Sequence, residues 1–277
     1  TTPFDSFNKP HELIIKKNGR MRQILLILKF MKNKNKLYML NKSKIILNII
    51  LIVLFVSCSN TNSITISKLE NSPSYENSNL SLNDIKNEDD KHIFSFKVND
   101  YELGAQTQNN FNFQIANSGK GQHIHLIINN NPYSAHYENI FEKELVESNN
   151  VILAFLSRSY HESVKNTNAY ILTQIGDNGI DLNNEFLFYS RPKGVYKNSD
   201  TERILLDFYL VNTKLSADGN RVRATINDVV FYIYEWSPYF IEGLPKGENK
   251  IKLELLNNKN QLIKTKFNPS FRTIILE

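Results

Sequence analysis

Gly121-Gln-His-Ile-His-Leu-Ile-Ile-Asn129 and Gly219-Asn-Arg-Val-Arg-Ala-Thr-Ile-Asn227 are two copies of one pattern at an offset of 98 residues: a glycine, a strand-like run and a closing asparagine. The similarity extends in both directions. Downstream, Phe141 to Leu156 (FEKELVESNNVILAFL) matches Phe240 to Leu256 (FIEGLPKGENKIKLELL), and upstream Phe96 to Leu103 echoes Phe208 to Leu215. A self-similar period of this size marks a repeated supersecondary unit. The surrounding sequence supplies strands for it. HIFSFKV, QHIHLIIN, VILAFLS, AYILTQI, EFLFY, RILLDFYLVN, RVRATIN, VVFYIYEW, NKIKLELL and FRTIILE are β-branched and aromatic runs separated by Asn, Gly and Pro clusters. Only ENIFEKELVES offers a candidate short helix. The fold class expected is all-β: two tandem immunoglobulin-like β-sandwich units over residues 92–165 and 203–277, joined by a connecting segment, 166–202. A single larger sandwich is the alternative.

Upstream of the repeat the chain changes character. Lys42 and Lys44, an apolar run from Ile45 to Val56, Ser57 and Cys58 follow the order of a bacterial lipoprotein signal. The run is too short to span a bilayer, for which roughly 20 residues are needed. Cys58, the single cysteine, is the expected lipidation site and would tether the protein to the membrane of the cell envelope, by family rule the outer membrane. Residues 39–57 read as the signal peptide. Residues 1–38 read as upstream read-through before Met39, or as an extended basic n-region. The Ser- and Asn-rich stretch 58–91 reads as a flexible tether.

This division changes the charge argument. Residues 1–57 hold 11 Lys or Arg and 2 Asp or Glu, so the remaining 220 residues, with 22 basic and 26 acidic groups, carry a net charge of −4 against +5 for the whole chain. A basic stripe that would neutralise phosphates is missing, which sets nucleic acid aside as a partner. Hydrolase signatures such as the Gly-x-Ser-x-Gly elbow and His-Glu-x-x-His are also missing, so a binding role is expected rather than an enzyme.

Two constellations could hold a ligand. His123 and His125 alternate on one strand, so both imidazoles project to the same face, and His136 or His161 could add a third ligand for copper or zinc. In the second repeat the matching positions are Arg221 and Arg223, which removes the site there. The other constellation is cationic: Lys120, Arg158, Arg191 and Lys193 could gather at one end of the first sandwich as an anion site. Tyr232, Tyr234 and Trp236 share one parity and would line an outer face.

The runs GQHIHLIINNNPYSAHYENIFEKEL, LAFLSRSYHESVK, FLFYSRPKG, LDFYLVNTKLSADGNRVRATIN and PYFIEGLPKGENKIKLELL resemble an uncharacterised family of lipoproteins from Gram-negative bacteria, sometimes labelled phosphopeptide-binding proteins. The resemblance covers residues 92–277 and implies a shared fold and envelope location; it assigns no site residue. Three roles follow as expectations: a binding module for an anionic, peptide or envelope-protein ligand, a copper- or zinc-binding lipoprotein, and a structural envelope component without a small ligand.

Overall fold

The computed structural model describes residues 63–88, 91–108, 113–176 and 179–277. Cys58, the signal segment 39–57 and residues 1–38 lie outside the described residues. The described residues belong to one compact unit.

Strand β1 (Thr65–Lys68) is followed by β2 (Asn79–Glu88), β3 (Lys91–Asn99), β4 (His123–Ile128), β5 (Ser134–His136), β6 (Ile140–Glu144), β7 (Asn150–Ser157) and β8 (Tyr170–Ile175). The second half contains β9 (Phe186–Arg191), β10 (Gly194–Tyr196), β11 (Arg203–Val211), β12 (Arg221–Ile226), β13 (Val229–Ile233), β14 (Tyr239–Glu242), β15 (Gly247–Leu256) and β16 (Ser270–Leu276), with one 3-10 turn at Asn198–Thr201. They build four sheets, ordered β2-β3-β6, β5-β4-β7-β8, β1-β14-β11-β9 and β10-β16-β15-β12-β13. Counting strands β2 to β8 as one to seven, the first pair of sheets reads one-two-five against four-three-six-seven. With β9 as its first strand, the second pair repeats that order, with β10 and β1 as additions. This is the strand order of an immunoglobulin-like sandwich, twice.

The repeat seen in sequence is therefore a repeat of positions. Asn129, at φ 51° after β4, accepts from the Val151 amide through Oδ1 (2.8 Å) and donates through Nδ2 to Asn150 Oδ1 (2.9 Å). Asn227, at φ 44° after β12, makes the same two bonds to the Lys250 amide (2.8 Å) and Asn249 Oδ1 (2.6 Å). Asparagine tolerates the left-handed backbone at both corners while its amide satisfies the chain it meets.

Each sandwich has its own core. Leu80, Phe94 and Phe96 face Ile124, Leu126, Ile152, Ala154 and Leu156 in the first. In the second, Leu187, Tyr189, Leu206 and Phe208 face Val222, Ala224, Leu253, Leu255 and Ile274. A third apolar layer lies between the sandwiches, where Ile127, Val151, Leu153 and Phe155 meet Phe186, Phe188, Tyr209 and Val211. The sequence explains which sheets are covered twice. In β12 (RVRATI) and β16 (SFRTIIL) buried residues alternate with less buried ones, whereas β7 (NVILAFLS) and β9 (FLFYSR) are buried at every position. Apolar residues on both parities suit a strand with a core on either face.

The expected boundaries change accordingly. The stretch taken as a tether, 58–91, contains β1 and β2, and β1 pairs antiparallel with β14. A segment that precedes the first sandwich thus completes a sheet of the second. The stretch taken as a connector, 166–202, contains β8, β9 and β10. Its polar turns are short, and its apolar runs are needed to cover the middle layer. The candidate helix is β6, because Phe141 packs on Phe94 and Phe96 at centroid distances of 5.8 and 5.7 Å. Trp236 is half-buried, donating through Nε1 to Phe208 O (2.9 Å), so of the expected aromatic strip only Tyr232 and Tyr234 are exposed.

Polar contacts also bridge the sandwiches. Asp207 of β11, fully buried, accepts from the Ser163 amide (3.1 Å), Ser163 Oγ (3.1 Å) and Lys165 Nζ (2.5 Å). Removing one partner of a buried pair leaves an uncompensated charge, at a cost of about 3–5 kcal/mol. Asp207→Ala is expected to lower urea-unfolding stability by roughly 3 kcal/mol or more; a change under about 1 kcal/mol would mean that Lys165 and Ser163 find solvent easily and that the bridge is peripheral.

Candidate metal centre

His123 and His125 project from β4 toward the layer between the sandwiches, since the intervening Ile124 and the following Leu126 belong to the first core while Ile127 belongs to the middle one. His161 reaches the same place from the turn after β7, where it adopts φ 70° and its amide donates to Arg158 O (2.8 Å). His123 Nε2 lies 2.8 Å from His125 Nε2 and 3.2 Å from His161 Nδ1. The three ligand atoms all fall within 4.8 Å of one another. An ion bound at 2.0–2.1 Å by nitrogen in tetrahedral geometry separates its ligand atoms by about 3.4 Å, so small side-chain rotations suffice to seat one.

The backbone sets the tautomer. His123 Nδ1 is 2.8 Å from Gly121 O, and a carbonyl can only accept. Nδ1 therefore carries the proton, and the Nε2 lone pair is directed into the cluster, the orientation that a carbonyl partner imposes on metal-binding imidazoles. Gly121 is required for this contact: it sits at φ 85°, and a Cβ there would lie 2.3 Å from Gly104 O.

His123 and His125 are fully buried, and burial is the main reason all three imidazoles are held neutral. His123 is lowered to about 4, with the charges of Arg191 and Lys193 adding to burial against the Gly121 hydrogen bond. His125 and His161 are also lowered well below the ordinary imidazole range, by burial first, with the other imidazoles of the cluster, Arg191 and Lys193 adding to it. Neutral imidazole is the form that binds metal.

The remaining expected residues divide. His136 is turned to the other face of the sheet: it pairs in register with Ile124, stacks on Phe141 at 3.4 Å and contacts Ser134 Oγ (2.8 Å), so it does not join the trio. Arg158 is buried and already bonded, to Glu162 Oε1 (2.9 Å), Ser163 O (2.9 Å) and Pro73 O, which removes it as a free anion-binding group. Lys120 is exposed, its ammonium 5.5 Å from the Tyr137 ring. Arg191 and Lys193 do meet. Both lie over the Tyr133 ring, at 5.3 and 3.6 Å, and the Lys193 ammonium donates to Tyr133 O (2.6 Å). Arg191 is buried, donates through Nη1 to Tyr196 Oη (3.0 Å), and its Nε finds no partner among the described residues.

Tyr133 and Ser190 were not expected from sequence as neighbours of the histidines. Tyr133 stacks on His125 (3.5 Å, 15°) and its hydroxyl is 3.2 Å from His161 Nδ1; Ser190 Oγ, from the second sandwich, is 3.5 Å from His125 Nδ1. An aromatic residue in a hairpin turn was the only signal for Tyr133, and Ser190 was marked only by standing beside Arg191 in the cationic run. The centre therefore lies where the two sandwiches meet, a usual location for binding sites.

No protein-family model matches this chain, and no curated protein does. Among solved structures it is similar to fibronectin(III)-like modules of Clostridium thermocellum CbhA (12% identity, 33% of this chain and 97% of that one, TM-score 0.27). It is also similar to the central fibronectin-III array of RIM-binding protein (9% identity, 76% and 70% covered, TM-score 0.25). A third likeness is to the two tandem V-type regions of VCBP3, a v-region-containing chitin binding protein (6% identity, 77% and 99% covered, TM-score 0.22). The strand order itself, rather than these likenesses, carries the immunoglobulin-like assignment.

In an unfolded chain histidine titrates near 6.5, while burial holds His123 and His136 near 4. As pH falls from 6.5 to 4 the unfolded state takes up protons that the folded state refuses, so folding stability is lost across that window, roughly 3 kcal/mol for His123 and less for the partly exposed His136, whose charge solvent screens. Urea midpoints are expected to fall steadily from pH 7 to pH 4.5, with His136→Gln flattening part of the slope. A midpoint unchanged over that range would show that the imidazoles titrate normally.

Proposed function

We propose that this protein is a lipid-anchored envelope lipoprotein whose paired sandwiches bind one copper or zinc ion through His123 Nε2, His125 Nε2 and His161 Nδ1. The observation that carries the reading is the Gly121 carbonyl, which fixes the His123 proton on Nδ1 and leaves a buried lone pair facing two more neutral imidazoles. Nitrogen ligands of this kind suit copper and zinc. The role is capture or retention of the ion rather than catalysis, and the anchor at Cys58 keeps it at the membrane surface.

A second reading, an anionic ligand at Arg191 and Lys193, is supported by the unpartnered Arg191 Nε and by the lack of a carboxylate on either cation among the described contacts. It retains two of the four cations expected from sequence. Charge reversal at Arg191 should abolish phosphate or acetate binding if this reading is right; binding equal to that of the unaltered chain would dismiss it.

For the metal, the expected result is one equivalent of copper or zinc by elemental analysis of the full chain after loading and desalting. His123→Ala/His125→Ala should hold less than a tenth of that amount, and His136→Ala should hold all of it. Equal metal in the double variant and the unaltered chain would end the proposal.

A further inference from the structure

We infer that the histidine trio selects a monovalent ion, copper(I), over divalent zinc, because two cationic side chains and no carboxylate stand behind it. The inference rests on the metal reading above and adds which ion the site takes.

Three neutral imidazoles contribute no charge, so the field at their centre is set by their neighbours. The cluster of ligand-type side chains contains only His123, His125 and His161, with no Asp, Glu or Cys joining it among the described residues. The charged side chains that act on the trio are Arg191 and Lys193, both positive. His125 lies against the Tyr133 ring at 3.5 Å and the Lys193 ammonium lies over that ring at 3.6 Å. One face of a ring cannot hold both groups at that height, so they occupy opposite faces, and the ammonium stands about 7 Å from the His125 ring with only the phenol between them. Arg191 adds a guanidinium 5.3 Å from the same ring, bonded to the Tyr196 hydroxyl rather than to a carboxylate.

Repulsion between these cations and a bound ion scales with the charge of the ion. A divalent ion is disfavoured twice as strongly, in free energy, as a monovalent one in the same place. Burial strengthens the effect by lowering the effective dielectric and keeping counter-ions away. Three imidazoles hold zinc only with a fourth ligand such as water, whereas a filled-shell monovalent ion is satisfied by three nitrogens, so the donor set accepts either ion and the surrounding charge decides between them. Tyr133, stacked on His125 and held beneath Lys193, keeps solvent from that side.

The test compares affinities in the full chain at pH 7, where the Lys193 amine, pushed down to about 8 by burial, still carries its proton. Copper(I) is supplied from a bathocuproine disulfonate buffer and zinc(II) from a nitrilotriacetate buffer. Copper(I) is expected to be held at free concentrations at least 100-fold lower than zinc. Lys193→Gln is expected to raise zinc affinity about tenfold and copper(I) affinity only about threefold, because each change in binding energy follows the ionic charge. Zinc held as tightly as copper(I), or a Lys193→Gln effect of equal size on both ions, would overturn the inference while leaving a metal site in place. Retention of neither ion would overturn it together with the metal reading.

Discussion

Ile127, Val151, Leu153 and Phe155 on one sheet, and Phe186, Phe188, Tyr209 and Val211 on another, form an apolar layer between two sandwiches that already have cores of their own. Each fully buried side chain of this size contributes roughly 1.5–3 kcal/mol relative to exposure, so the layer joins the sandwiches as firmly as a domain core. Tandem sandwiches joined by a linker would be free to move relative to one another. Here the two are one unit, and β1, drawn from ahead of the first sandwich onto the edge of the second, closes the arrangement.

That layer also decides what polar groups cost. Once the inner sheets are covered on both faces, any polar side chain on them must find a partner. Asp207 finds Lys165 and Ser163, Arg158 finds Glu162, and Asn130 bonds to Ser270 Oγ (2.8 Å) and the Tyr189 amide (2.8 Å) across the junction. The histidines are partnered mainly by one another. The same burial that makes their charged forms costly keeps neutral ring nitrogens clustered, which is the condition for holding a metal ion.

The repeat shows the effect of position. His123 and His125 in β4 correspond to Arg221 and Arg223 in β12. The first pair faces the middle layer and is fully buried. Arg223 faces outward, bonded to Glu254 through Nε (2.7 Å) and Nη2 (2.8 Å). One backbone position thus carries neutral imidazoles where a further sheet covers it and an ion pair where water does.

The sequence by itself determined the all-β class, the ten principal strands, the doubling of the unit and the placing of His123 and His125 on one face, because these follow from local β-forming runs, a period of two and a repeated pattern. Beyond the short range those signals reach, tertiary structure decided the rest. β1 and β2 were hidden in a Ser- and Asn-rich stretch: β1 is held by Tyr239 to Glu242, far along the chain, and β2 pairs with the next strand, β3, through a run too polar to show a strand pattern. His161 rather than His136 completes the trio because strand β5 turns His136 to the opposite face while the turn after β7 folds His161 back over it. Arg158 was lost to Glu162, four residues on, once both were buried. Periodicity says which side chains share a face of a strand; only the packing of one sheet against another says which face is dry, and dryness is what turned two alternating histidines into a candidate metal centre.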